Sequence, residues 1–485
     1  MPDVRAPDAA ASASGSGGTA TVGDLAIVLH SHMPYVEGFG TYPFGEEWLF
    51  DAVIRSYLPV LEAARDLTMT VTPVLADQLE DEGTRRRLRD FLIEWRIGAA
   101  KADMEQVPPE CRPACEGELA RYERALELLD AVDGDPLGAF REARESGRVA
   151  LAASAATHAV LPQLATRQGM RLQLDAGIAS HRRRLGWDGG FWLPECAYVP
   201  GLEWRLEEHG VGWFCVDQSR HAEPLEALRP VATPAGPVAL PIDWEAVSWL
   251  WSLDGYPSDP AHAQFSGKSL RGMRIWKVGG GAYDPEAAER AARRQAEEFL
   301  GAVASRLAAY SAGYERRGLL VFAIDTELLG HWWSEGATWL REVLAGAEEA
   351  GVRLVTVPQA LAEHEAVERE LFPSTWGEEK DMRTWDSPPV ADLAWAARRL
   401  ELRVLRALTG GLEGPAALRA ARELLCVQAS DWAFLDQRGQ AGDYPYQRVT
   451  SHAEAALEAI HSPAEAAPRM RSLAPDLSLA PLLEP

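Results

Sequence analysis

The stretch GFWLPECAY, Gly190–Tyr198, sets a single carboxylate, Glu195, directly after an aromatic, apolar run that ends in proline. The run predicts a short buried strand, and Pro194 stops it. Glu195 is no obvious helix cap, because Cys196, Ala197 and Tyr198 do not open a strongly helical pattern. A strand that ends by presenting an ionisable group between Trp192 and Tyr198 fits the rim of a parallel α/β fold, where functional side chains follow the strands' carboxyl ends.

The pattern recurs outward in both directions. Short β-rich runs, LAIVLH (Leu25–His30), TVTPVLA (Thr70–Ala76), RVALAAS (Arg148–Ser154), GWFCV (Gly212–Val216), LLVFAI (Leu319–Ile324) and RLVTV (Arg353–Val357), alternate with longer helical stretches. Several are apolar on both faces, as parallel strands covered by helices must be. The alternation predicts a βα barrel or an open α/β sheet. Between Gly83 and Gly147 the sequence is charged and helical, as in GELARYERALELLDAV, which reads as an insertion between two strands. After about residue 370 strand signals give way to helices such as VADLAWAARRLELRVLRAL. The expected organisation is a tail over 1–24, a barrel over 25–365 with the insertion around 83–147, a helical domain over 366–466 and a surface-wrapping tail over 467–485.

At 485 residues the chain exceeds what one core usually serves, so more than one domain is expected. Its net charge of −24 and pI near 4.9 repel phosphate backbones and anionic membranes, so neither nucleic acid nor a lipid surface is the expected partner. A neutral or cationic substrate fits better. Five cysteines without paired zinc-type spacing fit a reduced, cytoplasmic setting, and the Ala-, Ser- and Gly-rich start lacks the basic and apolar blocks of a signal peptide. No apolar run reaches the roughly 20 residues of a membrane helix.

His30 and His32 end the first predicted strand, His158 lies just past RVALAAS, Glu195 ends FWLP and Asp325 ends LLVFAI. In a parallel barrel these positions converge on one rim. Within FAIDTELLGHWW, Asp325 is preferred over Glu327 because it lies nearer the strand end. Two carboxyl groups facing one cleft suit glycosidic bonds: one protonates the leaving oxygen while the other stabilises or attacks the anomeric carbon. The 17 tryptophans point the same way, since indole faces match the C–H faces of sugar rings, although core packing remains the better reading for any single one.

Taken in order, LHSHMPY, ATHAVLP, GFWLPECAY and FAIDTELLGHWW resemble the signature regions of glycoside hydrolase family 57. RIWKVGGG, YDPEAA, STWG, QASDWAFL and GQAGDY extend the resemblance toward that family's α-1,4-glucan branching enzymes, from about Leu25 to His461. The resemblance implies an incomplete (β/α)7 barrel with helical insertions and a C-terminal all-helical domain, a retaining mechanism, an α-glucan substrate and no metal or organic cofactor. By motif, Glu195 becomes the nucleophile and Asp325 the acid/base. His30, His32 and His158 line the subsite of the cleaved glucose, and Trp276, Gly280, Trp376, Asp431 and Trp432 become glucan-binding residues. One departure matters: family branching enzymes carry a tyrosine-bearing loop over the site, and Gln218 to Gly255 holds no tyrosine. Trp249 or Trp251 is the candidate replacement, and hydrolysis or 1,4-to-1,4 transfer competes with branching as the outcome.

Two rival readings remain. Histidines on several rim positions also resemble a metal-dependent barrel hydrolase, although no full ligand set emerges and the tryptophans then lack a role. A glucan-binding protein without catalysis would keep the tryptophans but has no need of both carboxylates.

Overall fold

The computed structural model describes residues 21–41, 44–466 and 471–484. Ten strands form one sheet: β1 (Gly23–Ser31), β2 (Leu67–Val71), β3 (Val149–Ser154), β4 (Gly190–Trp192), β5 (Trp213–Val216), β6 (Val231–Ala232), β7 (Val238–Pro241), β8 (Gly318–Asp325), β9 (Val352–Leu354) and β10 (Val367–Glu368). Their order is β10-β6-β7-β5-β4-β3-β2-β1-β8, with β9 beside the start of β1. The run from β8 through β1 to β5 and β7 is parallel throughout. That is a seven-strand barrel that fails to close. Among the described residues β7 and β8 do not pair as strands, although Asp243 N–H donates to Val321 O at 2.9 Å across the seam.

The seventh barrel strand is not the one the sequence pattern indicates. Arg353–Val357 contributes only two of the three residues of β9, and Val357 instead begins a helix, Val357–Glu363, capped by Thr356. The barrel position belongs to β7, hidden in the proline-rich PVATPAGPVALP, where Pro241 can end a strand because the open seam demands no further ladder partner. The expected strand Thr70–Ala76 is likewise displaced: β2 ends at Val71, and Pro73 opens the helix Pro73–Glu80, since proline at a first helical position forfeits a bond that is missing anyway.

Gly23 and Asp24, expected in the N-terminal tail, are the first residues of β1. Asp24 is buried, accepting from Nε and one terminal nitrogen of Arg353 at 2.9 Å each and bonded to His364 at 2.6 Å, and these contacts hold its carboxyl below the usual range despite burial. The rest of that tail, residues 1–20, lies outside the described residues, as do 467–470 and 485. Downstream of 470 the chain does more than cover surface, because Leu473, Leu477 and Leu482 are buried in the core of the C-terminal helices.

Between β2 and β3 the chain is helical, the longest helix of this insertion being Arg112–Ala131, with a π-helical segment at Phe91–Ile97. The C-terminal helices Ala391–Thr409, Gly414–Val427, Asp431–Gln437 and Tyr444–His461 share a core with Tyr35, Val74, Ala156 and Leu172, which follow or flank barrel strands. This shared core seats the helical bundle on the strands' carboxyl ends. It brings residues near 430 to the barrel mouth.

One glycine fixes the segment after β8. Gly330 has φ +106°, and a Cβ there would lie 1.9 Å from Arg55 O. Gly330→Ala is expected to cost about 3 kcal/mol or more, from left-handed strain plus overpacking. Thermal unfolding checks this, and an unchanged melting temperature would contradict it.

Candidate active site

The carboxyl ends of β1, β3, β4 and β8 open on one cleft of ≈ 1540 Å³. His30, His32, His158, Glu195, Asp325, Trp376 and Asp431 all line it. Trp276, Gly280 and Trp432 lie outside its walls. Trp432 is buried in the helical bundle with its indole N–H on Cys426 O at 2.7 Å. Trp276 packs on the barrel core, and Gly280 occupies an exposed left-handed turn, φ 97°, that reverses the chain after Lys277.

Glu195 is placed by a strained turn. In Pro194–Cys196 it takes φ 58° and ψ 20°, and Cys196 follows at φ 48°, a region that costs side chains with a Cβ. Neighbouring backbone holds the turn: Cys196 N–H donates to Leu193 O at 2.8 Å, and Trp376 N–H donates to Glu195 O at 2.7 Å. Tyr198 and Ser374 exchange a further pair of bonds. His158 is also left-handed, φ 59°, and Ser430 N–H donates to its carbonyl at 3.2 Å. Two strained site residues thus meet on one serine.

Ser430 Oγ donates to Glu195 Oε1 at 2.7 Å. With its proton committed there, Ser430 can only accept from His158 Nδ1–H, 2.9 Å away. Burial, helped by the neighbouring histidine charge, holds His158 and His30 well below the usual imidazole range, so both are neutral. Neutral His158 therefore accepts at Nε2 from His30 Nε2–H, 3.0 Å away, and His30 Nδ1 accepts from Thr70. One proton arrangement satisfies every link from Thr70 through His30, His158 and Ser430 to Glu195.

His32 behaves differently. Burial opposes its charge, but Asp431, 3.0 Å from Nε2, more than offsets this and raises it, and Thr72 meets Nδ1 at 2.9 Å. Glu327 Oε1 accepts from His32 N–H at 3.0 Å and from the Tyr57 hydroxyl, so this third carboxyl braces the wall. Asp325, by contrast, has no hydrogen-bond partner among the described residues and faces the cleft.

Burial raises Glu195 to about 8, against the lowering bond from Ser430 and with Asp431 and Asp325 adding to the rise. Burial raises Asp325 to about 6, with His32 lowering and Asp431 raising it. The two carboxyls interact and titrate as a pair, so between about 6 and about 8 they hold one proton between them. In the empty cleft that proton favours Glu195.

His32, His158 and Asp431 each offer a ligand atom, all within 4.8 Å of one another. Two imidazoles and a carboxylate form a set that a divalent cation accepts. Here His32 Nε2 and Asp431 already bond each other, and both nitrogens of His158 are occupied by the proton chain.

Of the candidate lid residues, Trp251 is half exposed and lines the cleft from the helix Trp244–Trp251, with Trp244 beside it. Trp249 turns the other way, onto Tyr256 at 5.7 Å. Tyr256, the first residue beyond the tyrosine-free stretch, is itself buried. Ser430 is the functional neighbour that motif reading passed over: it sits inside QASDWAFL, beside Asp431, where a serine before a helix ordinarily signals a cap. No cap bond is made; its hydroxyl goes to Glu195. All five cysteines are buried and unpaired, and no helix is long and apolar enough to cross a membrane among the described residues.

Comparison with known proteins agrees with this geometry. The profile of glycosyl hydrolase family 57 matches residues 26–371, and that of the 1,4-alpha-glucan branching enzyme C-terminal region matches 393–474. A 1,4-alpha-glucan branching enzyme of Thermococcus kodakarensis is 33% identical over 89% of this chain and 72% of its own length. The crystal structure of a branching enzyme from Pyrococcus horikoshii superposes with a TM-score of 0.88 at 30% identity, covering 95% of this chain and 97% of that one. An α-amylase from Thermotoga maritima shares the fold, with a TM-score of 0.80 at 23% identity over 92% and 94% of the two chains. An open seven-strand barrel, a cleft with two half-buried carboxyls and a family match over most of the chain agree: the protein belongs to glycosyl hydrolase family 57.

Proposed function

We propose that this chain is a retaining α-glucan transglycosylase that cuts α-1,4 linkages and re-forms them as α-1,6 branches. The observation that carries the reading is the pairing of Glu195 and Asp325 on one cleft, with Glu195 held by Ser430 and Asp325 free of partners among the described residues. The branching-type C-terminal match supports transfer rather than hydrolysis, because that region supplies Ser430 and Asp431 to the site.

In the first step Asp325 protonates the glycosidic oxygen while Glu195 attacks the anomeric carbon, forming a glycosyl ester. In the second, ionised Asp325 takes the proton of an incoming 6-hydroxyl, which displaces Glu195. The roles need the shared proton on Asp325. Positive charge developing at the anomeric carbon favours ionised Glu195, and the Ser430 bond stabilises that form, so substrate binding moves the proton to the productive side. The Asp431 carboxyl, held by His32 on the cleft wall, offers its remaining lone pairs to sugar hydroxyls, and the histidine chain behind it keeps the wall in place. Trp251 stands where a lid must slow water.

Incubation with amylose, read by proton NMR for α-1,6 linkages and by a reducing-end assay, tests the reading. New α-1,6 signals are expected; reducing ends alone would assign a hydrolase, and new α-1,4 chains without branches a 4-α-glucanotransferase. Activity is expected to survive a chelator, and its loss with restoration by a divalent ion would favour the metal-dependent alternative.

Glu195→Gln and Asp325→Asn are each expected to lower turnover about a thousand-fold or more with an unchanged melting curve, since each removes a group that bonds or transfers a proton in the transition state. Near-wild-type turnover in either would contradict the assignment.

The singly protonated pair is the active form, so kcat/KM is expected to be bell-shaped, falling below about 6 and above about 8. Ser430→Ala removes the bond that lowers Glu195. It is expected to cut kcat/KM about ten-fold and to move the alkaline limb upward, whereas Ser430→Thr, keeping a hydroxyl, restores much of the loss. A loss of activity with an unshifted profile would contradict a role for Ser430 at the carboxyl.

A further inference from the structure

A double displacement uses one side of the anomeric carbon twice: the leaving chain departs beside the acid/base, and the acceptor arrives there. In this cleft the two sides are distinguishable. Trp376 and Trp192 pack edge to face at 4.9 Å on the nucleophile side, where Trp376 also bonds the Glu195 backbone. The chain that follows Asp325 leaves β8, separated from β4 in the sheet by β1, β2 and β3, and its Glu327, His331 and Trp332 all line the cleft.

On this side large apolar groups stand in water. Trp95 is 64% exposed, Trp332 48%, and Leu270 fully so, yet all three line the same cleft. Apolar surface held exposed along a groove marks binding. The arm they edge is pre-built. Phe265 packs on Trp332 at 4.7 Å. Buried Arg274 ties the loop to the acid/base segment through Ser334 Oγ at 2.6 Å and Gly330 O at 3.3 Å. At its outer end Ser269 and Arg271 fasten the loop to Asp103 of the helical insertion. Trp95 projects from the π-helical segment Phe91–Ile97, a conformation that recurs at functional sites, and Arg96 of that segment is fixed by Asp51 at 2.7 Å. The cleft's ≈ 1540 Å³ exceeds the roughly 300–1,000 Å³ of a pocket for one small ligand.

We propose that the arm between Trp95 and the Phe265–Leu270 loop, floored by Trp332, binds the acceptor α-glucan chain and presents its 6-hydroxyl to the glycosyl–Glu195 ester. The proposal rests on the transglycosylase reading above. The apolar edges take the C–H faces of successive glucoses, and Glu94, Lys268 and Arg271 beside them meet hydroxyls. The acceptor O6 then bonds to the anomeric carbon as the ester C–O bond breaks. The hydroxyl proton passes to Asp325, and Glu195 returns as carboxylate.

The test compares wild type, Trp332→Ala and the double variant Trp95→Ala/Leu270→Ala, whose side chains are exposed and removable without a buried cavity. With amylose as donor, transfer products of any linkage are measured against reducing ends, with and without excess maltoheptaose. Both variants are expected to lower the transfer-to-hydrolysis ratio about five-fold or more, with partial recovery at high maltoheptaose. A ratio equal to wild type in both variants would overturn the proposal, whatever happens to total activity. Wild type that transfers without making α-1,6 linkages would overturn the branching reading while the ratios still judge the arm; wild type that only hydrolyses would overturn both.

Discussion

A carboxyl group drawn largely out of water at the mouth of a barrel is costly unless a partner holds it, and the partner of the half-buried Glu195 comes from 235 positions away in the sequence. The hydroxyl of Ser430 is where the helical bundle reaches this carboxyl, beside the His32–Asp431 contact. Without the bundle, Glu195 has burial and like charges from Asp325 and Asp431 acting on it and loses the bond that favours its ionised form. The C-terminal helices therefore complete the chemistry as well as the cleft. Their core reaches into the barrel through Tyr35, Val74, Ala156 and Leu172, which fixes Ser430 against Glu195.

The same constraint organises the histidines. A serine hydroxyl has one proton, so giving it to Glu195 dictates the tautomers of His158 and His30 in turn. Two of these residues, His158 and Glu195, sit in left-handed backbone, and strain of this kind persists only where surrounding structure over-determines it. Here the backbone N–H groups of Trp376 and Ser430, donating to the carbonyls of Glu195 and His158, do so. His32 stands outside that chain, raised by Asp431 beside it, and lowers both the Glu195 and the Asp325 carboxyls. One shared proton on two coupled acids then gives the stoichiometry that a double displacement needs.

Strand ends were legible in the sequence because apolar runs buried on both faces stop abruptly at a polar residue, as at His30, Glu195 and Asp325. The number of barrel strands was legible too, but not their identity. Val238–Pro241 is short and proline-rich because it borders the open seam, while the more strand-like Arg353–Val357 merely buttresses β1. Tryptophan contexts misled where a polar neighbourhood in sequence is not one in space: Trp432 follows Asp431, yet helical periodicity turns its ring into the bundle core. Ser430 and Trp95 were invisible for a related reason. Their roles come from contacts across the chain, and a single position before or inside a helix carries no signal of them.

The most direct measurement is covalent trapping. Incubating the Asp325→Asn variant with a fluorinated glucosyl donor slows breakdown of the ester, and peptide mass mapping then locates the label. A glucosyl adduct on the peptide containing Glu195 is the expected result. An adduct on another residue, or turnover of the donor with inversion and no adduct, would contradict the account.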